Sequence, residues 1–403
     1  MSSILTNNSA MVALQTLKSV NKSMTSIQGE ISTGKKVASA KDNSATWAIS
    51  KVMESDVKGF KAISESLALG ESTVSVARSA SETVTDLLTQ MKGKIVASQE
   101  ENVDRDKIQT DIDALKDQIA AVVGAAQFNG LNLLSNTDST ADTGTVNILS
   151  SLDRSGSGVA VSEIAVSKQD LGQGAATAGT TAGTAVTVSG ASAAASGGTV
   201  DYDLSPSDNG YGTSFEFSLA MGSSTIEATY VQRDGETAEN AAEQLAMRLN
   251  FALADAGETD FSFTADGTTL TVTNNSTAAL ATAATDFTVT TDGTAGGGLE
   301  LLDSIDVTSA NGAAASLAAI EGLTQLSIDS AASFGSVEGR IGTQSEFISS
   351  LMDSLKSGIG TLVDANMEEA SARLQALQVQ QQLAVQAMSI ANQAPQTLLS
   401  LFR

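Results

Sequence analysis

Neither cysteine nor histidine occurs among the 403 residues of this chain. Zinc held by those residues, thiol nucleophiles and imidazole acid–base catalysis are therefore excluded. With no disulfides available, stability must come from packing and assembly. Proline occurs only at Pro206 and Pro395, so long helices can run uninterrupted; a proline in a helix interior costs about 3 kcal/mol. Aromatic residues make up 4% of the chain, too few for a core anchored on large rings. No apolar run reaches the roughly 18 residues that a membrane-spanning helix needs. The opening segment MSSILTNNSA has neither a basic nor a continuous apolar stretch, so no cleaved signal peptide is expected. Positive charge is also scarce: the net charge of −24 opposes nucleic-acid binding. Residues 171–310 hold 18 acidic residues against two arginines, whereas residues 1–50 hold five lysines against Glu30 and Asp42. The middle therefore reads as solvated and self-repelling, and the ends as free to touch one another.

What is present in abundance is heptad rhythm. Phe60, Ile63, Leu67, Gly70, Val74, Ala77, Ser81, Val84, Leu88, Met91 and Ile95 follow one another in alternating steps of three and four, which places them on one seam of a helix. At about 1.5 Å per residue that helix is roughly 50 Å long. Similar seams run through Ala10, Ala13, Leu17, Val20, Met24, Ile27 and Ile31, and through Ile320, Leu323, Ser327, Ser330, Phe334, Val337, Ile341, Gln344, Ile348, Leu351 and Leu355. A last one runs Val363, Met367, Ala370, Leu374, Leu377, Gln381, Ala384, Met388, Ala391 and stops before Pro395. Seams at both ends and none between describe a chain that folds back on itself and packs against copies of itself.

Between the seams the signals change. Residues 34–46 read as a connector, and Asn102 or Asp104 as the cap of a shorter helix carrying Ile108, Ile112, Leu115, Ile119 and Val122. Asn129–Gly130 marks a turn. Val146–Leu149 and Val159–Val166 read as a hairpin separated by DRSGSG, and 172–199 as a Gly/Ala/Ser/Thr linker. Strands are expected at Ser214–Leu219, Thr225–Gln232, Phe261–Thr264, Thr269–Thr273 and Phe287–Thr290, interrupted by a helix over Ala238–Ala256. Gly358 and Gly360 suggest a joint. The Asp–Gly pairs of the acidic stretches are spaced as turns and not as calcium ligands. The fold class is therefore mainly α with a β-rich insert: terminal helices paired into long coiled-coil-like bundles, and an outer variable α+β domain.

The segments ILTNNSAMVALQTL (4–17), SAKDNSATWAIS (39–50), IQTDIDALKDQI (108–119), QFNGLNLL (127–134) and MSIANQAPQTLLSLFR (388–403) resemble bacterial flagellin, in a pattern similar to flagellins of soil alphaproteobacteria. The resemblance covers roughly residues 1–170 and 300–403. It implies a non-enzymatic, cofactor-free subunit of an extracellular helical filament for swimming, exported unfolded through the flagellar type III apparatus. The implied partners are many copies of itself, other flagellin types, an export chaperone, the filament cap and hook-junction proteins, with no membrane insertion. A hook–filament junction protein, or a secreted adhesin using the outer domain, is the alternative.

The same resemblance implies a layout. Residues 1–46 and 361–403 would form the two halves of an inner tube domain, 47–170 and 305–360 the halves of a helical shell with the hairpin on it, and 171–304 the outer domain. Tube assembly would fall to Leu14, Leu17, Val20, Met24, Ile27, Ile31, Val363, Met367, Leu374, Leu377, Met388, Pro395, Leu398, Leu399, Leu401 and Phe402. The shell seam would be built by Phe60, Ile63, Leu67, Val74, Val84, Leu88, Met91, Ile95, Ile320, Phe334, Val337, Ile341, Ile348, Leu351 and Leu355. Where family members carry the stretch read by mammalian Toll-like receptors, this chain has Gln90, Gly93 and Lys94, which implies weak receptor recognition.

Overall fold

The computed structural model describes residues 7–136, 143–155, 158–190, 193–194, 196–205, 210–221, 224–281 and 286–400. Leu401 and Phe402 lie outside the described residues, as do the side chains of 394–400 and with them those of Pro395, Leu398 and Leu399. The chain divides into two compact units, residues 1–64 with 346–403, and residues 65–345.

The terminal unit is built on α1 (Asn8–Thr33) and α6 (Met367–Ser400). The Asn7 side chain accepts the Ala10 N–H at 3.1 Å and so satisfies one of the orphan donors of the first turn. Gly34 stops α1 with φ 71°, a left-handed conformation that costs glycine little, while its N–H bonds to Glu30 O at 2.8 Å. The two helices run antiparallel: Asn7 Nδ2 donates to Ala391 O at 2.8 Å, and Gln381 Nε2 to Asn21 Oδ1 at 2.7 Å. A backbone tie closes the far end, where Lys36 N–H reaches Val363 O at 2.7 Å and Ala365 N–H reaches Gly34 O at 2.9 Å.

Two expectations at this end are corrected. The helix α5 (Ala310–Val363) continues through Gly358 and Gly360, and the break falls at 364–366, where Asn366 Oδ1 accepts from the Glu368 and Glu369 N–H groups. Gly358 serves close packing instead, since a β-carbon there would sit 3.1 Å from Met53 Cε. The last helix does not stop before Pro395 but runs to Ser400; so near a C-terminal end, a proline removes a single ladder bond.

In the larger unit, α2 (Ser44–Ser98) and α5 pack antiparallel. Arg78 Nε donates to Glu338 Oε2 at 2.6 Å, Thr85 and Ser327 share a hydroxyl bond at 2.9 Å, and Lys92 pairs with Glu321 at 2.5 Å. Helix α3 (Arg105–Ala125) is capped by Asp104 and leads into β1 (Gln127–Phe128) and β2 (Leu131–Asn132), joined by Asn129 at φ 51° and Gly130 at φ 82°. These positive values are those of a two-residue hairpin turn. The hairpin β3 (Thr145–Ser155) and β4 (Gly158–Ser167) is longer than expected. Asp153, Arg154 and Ser155 pair with Ala160, Val159 and Gly158, so DRSGSG is mostly strand. Gly70 admits the hairpin: a β-carbon there would lie 2.5 Å from Ile148 Cδ1.

The remainder of this unit is an α+β module. One sheet has the order β10 (Ser224–Val231), β9 (Ser214–Met221), β14 (Phe287–Thr291), β5 (Thr181–Ala182). The other has β11 (Phe261–Asp266), β12 (Thr269–Asn274), β8 (Gly198–Asp203), β6 (Thr187–Gly190). A minor pair joins β7 (Ala193–Ala194) to β13 (Leu280–Ala281). Helix α4 (Ala238–Ala256) has the expected bounds and buries Ala242, Leu245, Leu249 and Leu253 against the sheets, with Tyr202, Phe217, Phe263 and Phe287 in ring contact at 5.0–5.6 Å. The expected 172–199 linker is therefore corrected. It supplies strands, and Leu299 N–H and Gly297 N–H bond to Gly172 O and Gly174 O at 2.8 and 2.7 Å.

Candidate assembly surface

Every residue of the α1 seam from Ala10 to Ile31 is buried or half-buried, and so is every residue of the α6 seam from Ala370 to Ala391. Val20, Ile27, Ala370 and Ala384 are the most enclosed. The heptads of the two termini thus cover each other within one chain, as the 3.5-residue period requires. Met367 and Leu14 differ from the other expected tube residues, at 43% exposed each.

A second apolar face is left uncovered by this pairing. Met11, Val12 and Leu14 on α1, and Val379, Leu383, Val385 and Ile390 on α6, are exposed, Ile390 to 69% and Val12 to 64%. Val12 and Ile390 border a groove formed with Ala13, Ala384, Ala387 and Ala391. An isolated exposed leucine is ordinary on a protein surface, but a cluster along one helix pair marks an interaction surface. Sequence reading found Leu14 alone of this second face, because the others fall between heptad positions.

In the shell helices the expectation is met along the seam. All eleven α2 residues from Phe60 to Ile95 are buried. On α5, Ile320, Phe334, Ile341 and Ile348 are buried, and Val337, Leu351 and Leu355 half-buried. Seam serines are satisfied within the helices: Ser81 Oγ donates to Ala77 O and Ser327 Oγ to Ser81 O, at 2.9 and 3.1 Å. Gln90, Gly93 and Lys94 are exposed on α2, and Lys94 pairs with Asp111 at 2.5 Å.

A charged cluster that sequence reading missed clamps the base of the α+β module. Arg233, 5% exposed at its side chain, lies 3.3 Å from Asp170 Oδ2, 2.9 Å from Glu236 Oε1 and 2.9 Å from Gly296 O. Arg248 pairs with Glu300 at 2.8 Å, and the other oxygen of Glu300 accepts the Ala176 N–H at 2.7 Å. These are the two arginines of residues 171–310. Burial, reinforced by Glu236, pushes the Tyr230 hydroxyl pKa far up. For Arg233 burial opposes the charge, but Tyr230, Glu236 and Asp170 outweigh it and keep the guanidinium protonated.

Among the described residues no group of three or more histidine, cysteine or carboxylate side chains could hold a metal, and no helix is long and apolar enough to cross a membrane. The surface is one for association.

Comparison with known proteins agrees. Residues 4–139 match the bacterial flagellin N-terminal helical region, and residues 317–402 the bacterial flagellin C-terminal helical region. Flagellin A of Rhizobium meliloti is 36% identical over 427 aligned residues that span all of both chains. A flagellin of Brucella melitensis biotype 1 is 32% identical, again over the whole of both. The solved structure of FliC from Burkholderia pseudomallei covers 67% of this chain and 99% of its own, at 12% identity and a TM-score of 0.31, a likeness too slight to bear on the assignment. Paired helical termini and identity along the whole length agree: the chain belongs to the bacterial flagellin family, as a structural, non-enzymatic subunit of the extracellular flagellar filament.

Proposed function

We propose that the uncovered apolar face of the α1–α6 pair is the principal contact between subunits, and that these helices line the centre of the filament as its inner tube. The observation that carries this reading is the set of exposed apolar residues left over once the heptad seams have paired. Fully burying one such side chain contributes roughly 1.5–3 kcal/mol, so a repeated contact of several residues outweighs the entropy lost on association. Residues 47–170 and 305–360 then form the shell, and 171–304 faces outward, where its acidic surplus is solvated. An export chaperone, the filament cap and hook-junction proteins are the further partners of this reading. The exposed Gln90, Gly93 and Lys94 favour weak stimulation of the mammalian Toll-like flagellin receptor.

The test is seeded polymerisation of purified full-length subunit carrying Leu383→Lys and Ile390→Lys. Helical content and melting should match the unsubstituted chain, because neither side chain is buried, while sedimentable filament is lost. Filaments formed at the normal rate would remove this face from the interface.

A further inference from the structure

We propose that each subunit docks the acidic turn between α2 and α3 onto a lysine-lined hollow near the start of α2 in the next copy. This rests on the filament reading above and names two surfaces that meet within it. The hollow, about 410 Å³, lies in the terminal unit and is lined by Lys35, Glu54, Lys58, Lys356, Ile359 and Asp364, among others. Its charge is not balanced locally. Glu54 is shared by Lys51 at 2.7 Å and Lys35 at 3.8 Å, and Lys356 pairs with Asp353 at 3.2 Å. Lys58 is exposed, with no carboxylate in ion-pair distance among the described residues. The surplus extends along the chain: residues 35–61 carry six lysines against Asp42, Glu54 and Asp56. The bond from Lys51, with the neighbouring charges of Lys35 and Lys58, holds the Glu54 carboxyl below its ordinary range, as convergence of several cations on one acid requires.

The opposite imbalance sits after the last turn of α2. Glu100 and Glu101 are exposed, and so is Asp106. None of the three has a cation in ion-pair distance among the described residues. Asp104 is taken by Lys107 at 2.7 Å. Arg105 does not neutralise the turn, because its Nε is committed to Ser98 O at 2.8 Å, closing the end of its neighbouring helix.

The partner follows from the composition. The filament is a homopolymer, so an anion for this hollow must come from another copy, and the chain has 46 acidic residues for 22 basic ones. The two surfaces flank one helix, so a copy displaced along the direction of α2 brings one towards the other. They are different surfaces, so the contact is head-to-tail and repeats without closing, which is the requirement for an open filament. Exposed ion pairs add little affinity each. Their effect is on the orientation and rate of addition, and it weakens with salt.

The test uses full-length subunits in three forms: Lys51→Glu with Lys58→Glu, Glu100→Lys with Glu101→Lys, and all four together. Circular dichroism and melting confirm the fold. At low salt each two-site variant should elongate seeds of its own kind at least about tenfold more slowly than the unsubstituted chain, with the deficit shrinking as salt rises. The four-site variant, and an equimolar mixture of the two slow variants, should recover, because opposite charges again meet at every contact. The milder Lys58→Gln should slow elongation in the same direction. Unsubstituted filaments that elongate alongside equally fast variants would overturn the contact and leave the filament reading intact. A four-site variant and a mixture that stay slow while folded would overturn it as well.

Discussion

Gly70 and Ile148 lie so close that one added carbon would have to displace the hairpin, with Ile148 Cδ1 and Cγ2 at 2.5 and 2.7 Å from where it would stand. Gly70→Ala should destabilise the larger unit by about 1–3 kcal/mol through overpacking, read from urea unfolding. Ile148→Val removes the nearer of those atoms, so the double variant should recover part of the loss; full additivity would show that the two sites do not press on each other. Arg233 acts by charge instead. Arg233→Met leaves buried Asp170 without its ion pair, a change that costs about 3–5 kcal/mol where a buried charge loses its partner. The strands at 170–177 and 294–300 should then become sensitive to protease before the α2–α5 pair does. Equal protease resistance would mean that the clamp does not hold the base of the module.

At the scale of elements, α6 and the connector answer to different forces. Leu377→Pro removes a backbone donor and breaks the helix in mid-seam, so the expected outcome is exported monomer without filament; swimming at the normal rate would contradict it. In the connector, Asp42 accepts the Ser39 N–H at 2.9 Å, the Ser39 hydroxyl at 3.0 Å and the Ala38 N–H at 3.2 Å. The Ser39 backbone bond comes first among the causes that hold its carboxyl below the ordinary 3.8. A depressed carboxyl contributes order above its unfolded pKa and loses it as pH falls through the folded one. The amide shifts of Ala38 and Ser39 should therefore move below about pH 3.8, and Asp42→Asn should abolish that titration.

Elements with strong periodicity were legible from sequence. The eleven α2 seam residues are all buried, and α4 has the bounds that its apolar face announces. What escaped was set by tertiary pairing. The strands β6 and β8 consist largely of small residues with weak alternation, and β12 decides the register of β8 through pairs such as Val272 with Val200. Gly358 resembled a joint because glycine is a poor helix former, yet here it makes room for Met53. The second apolar face of the terminal pair was hidden for a related reason: heptads report what two paired helices bury, and Ile390 and Leu383 lie off that stripe. Arg233 and Arg248 carried no motif at all, and only their scarcity within 171–310 set them apart.

At the scale of the whole molecule, charge and packing divide the work. The larger unit holds most of the acidic surplus, while the terminal unit carries the exposed apolar face. Residues 172–174 and 297–299 are bonded side by side, so the module between them leaves and returns at one place. Replacing about residues 175–296 with a short Gly-Ser bridge should leave a subunit that still forms filaments, and a folded, soluble, non-polymerising product would show that the module makes essential contacts. The central claim is that the uncovered face of α1 and α6 becomes the subunit interface, and the absence of cysteine allows a direct measurement. Ile390→Cys and, as control, Thr259→Cys in the exposed part of the module each give a chain with a single thiol. Labelling rates with a thiol-reactive probe are compared between monomer and filament. The account predicts that the thiol at 390 reacts in the monomer and is protected in the filament, while the thiol at 259 reacts in both; equal labelling at 390 in the two states would contradict it.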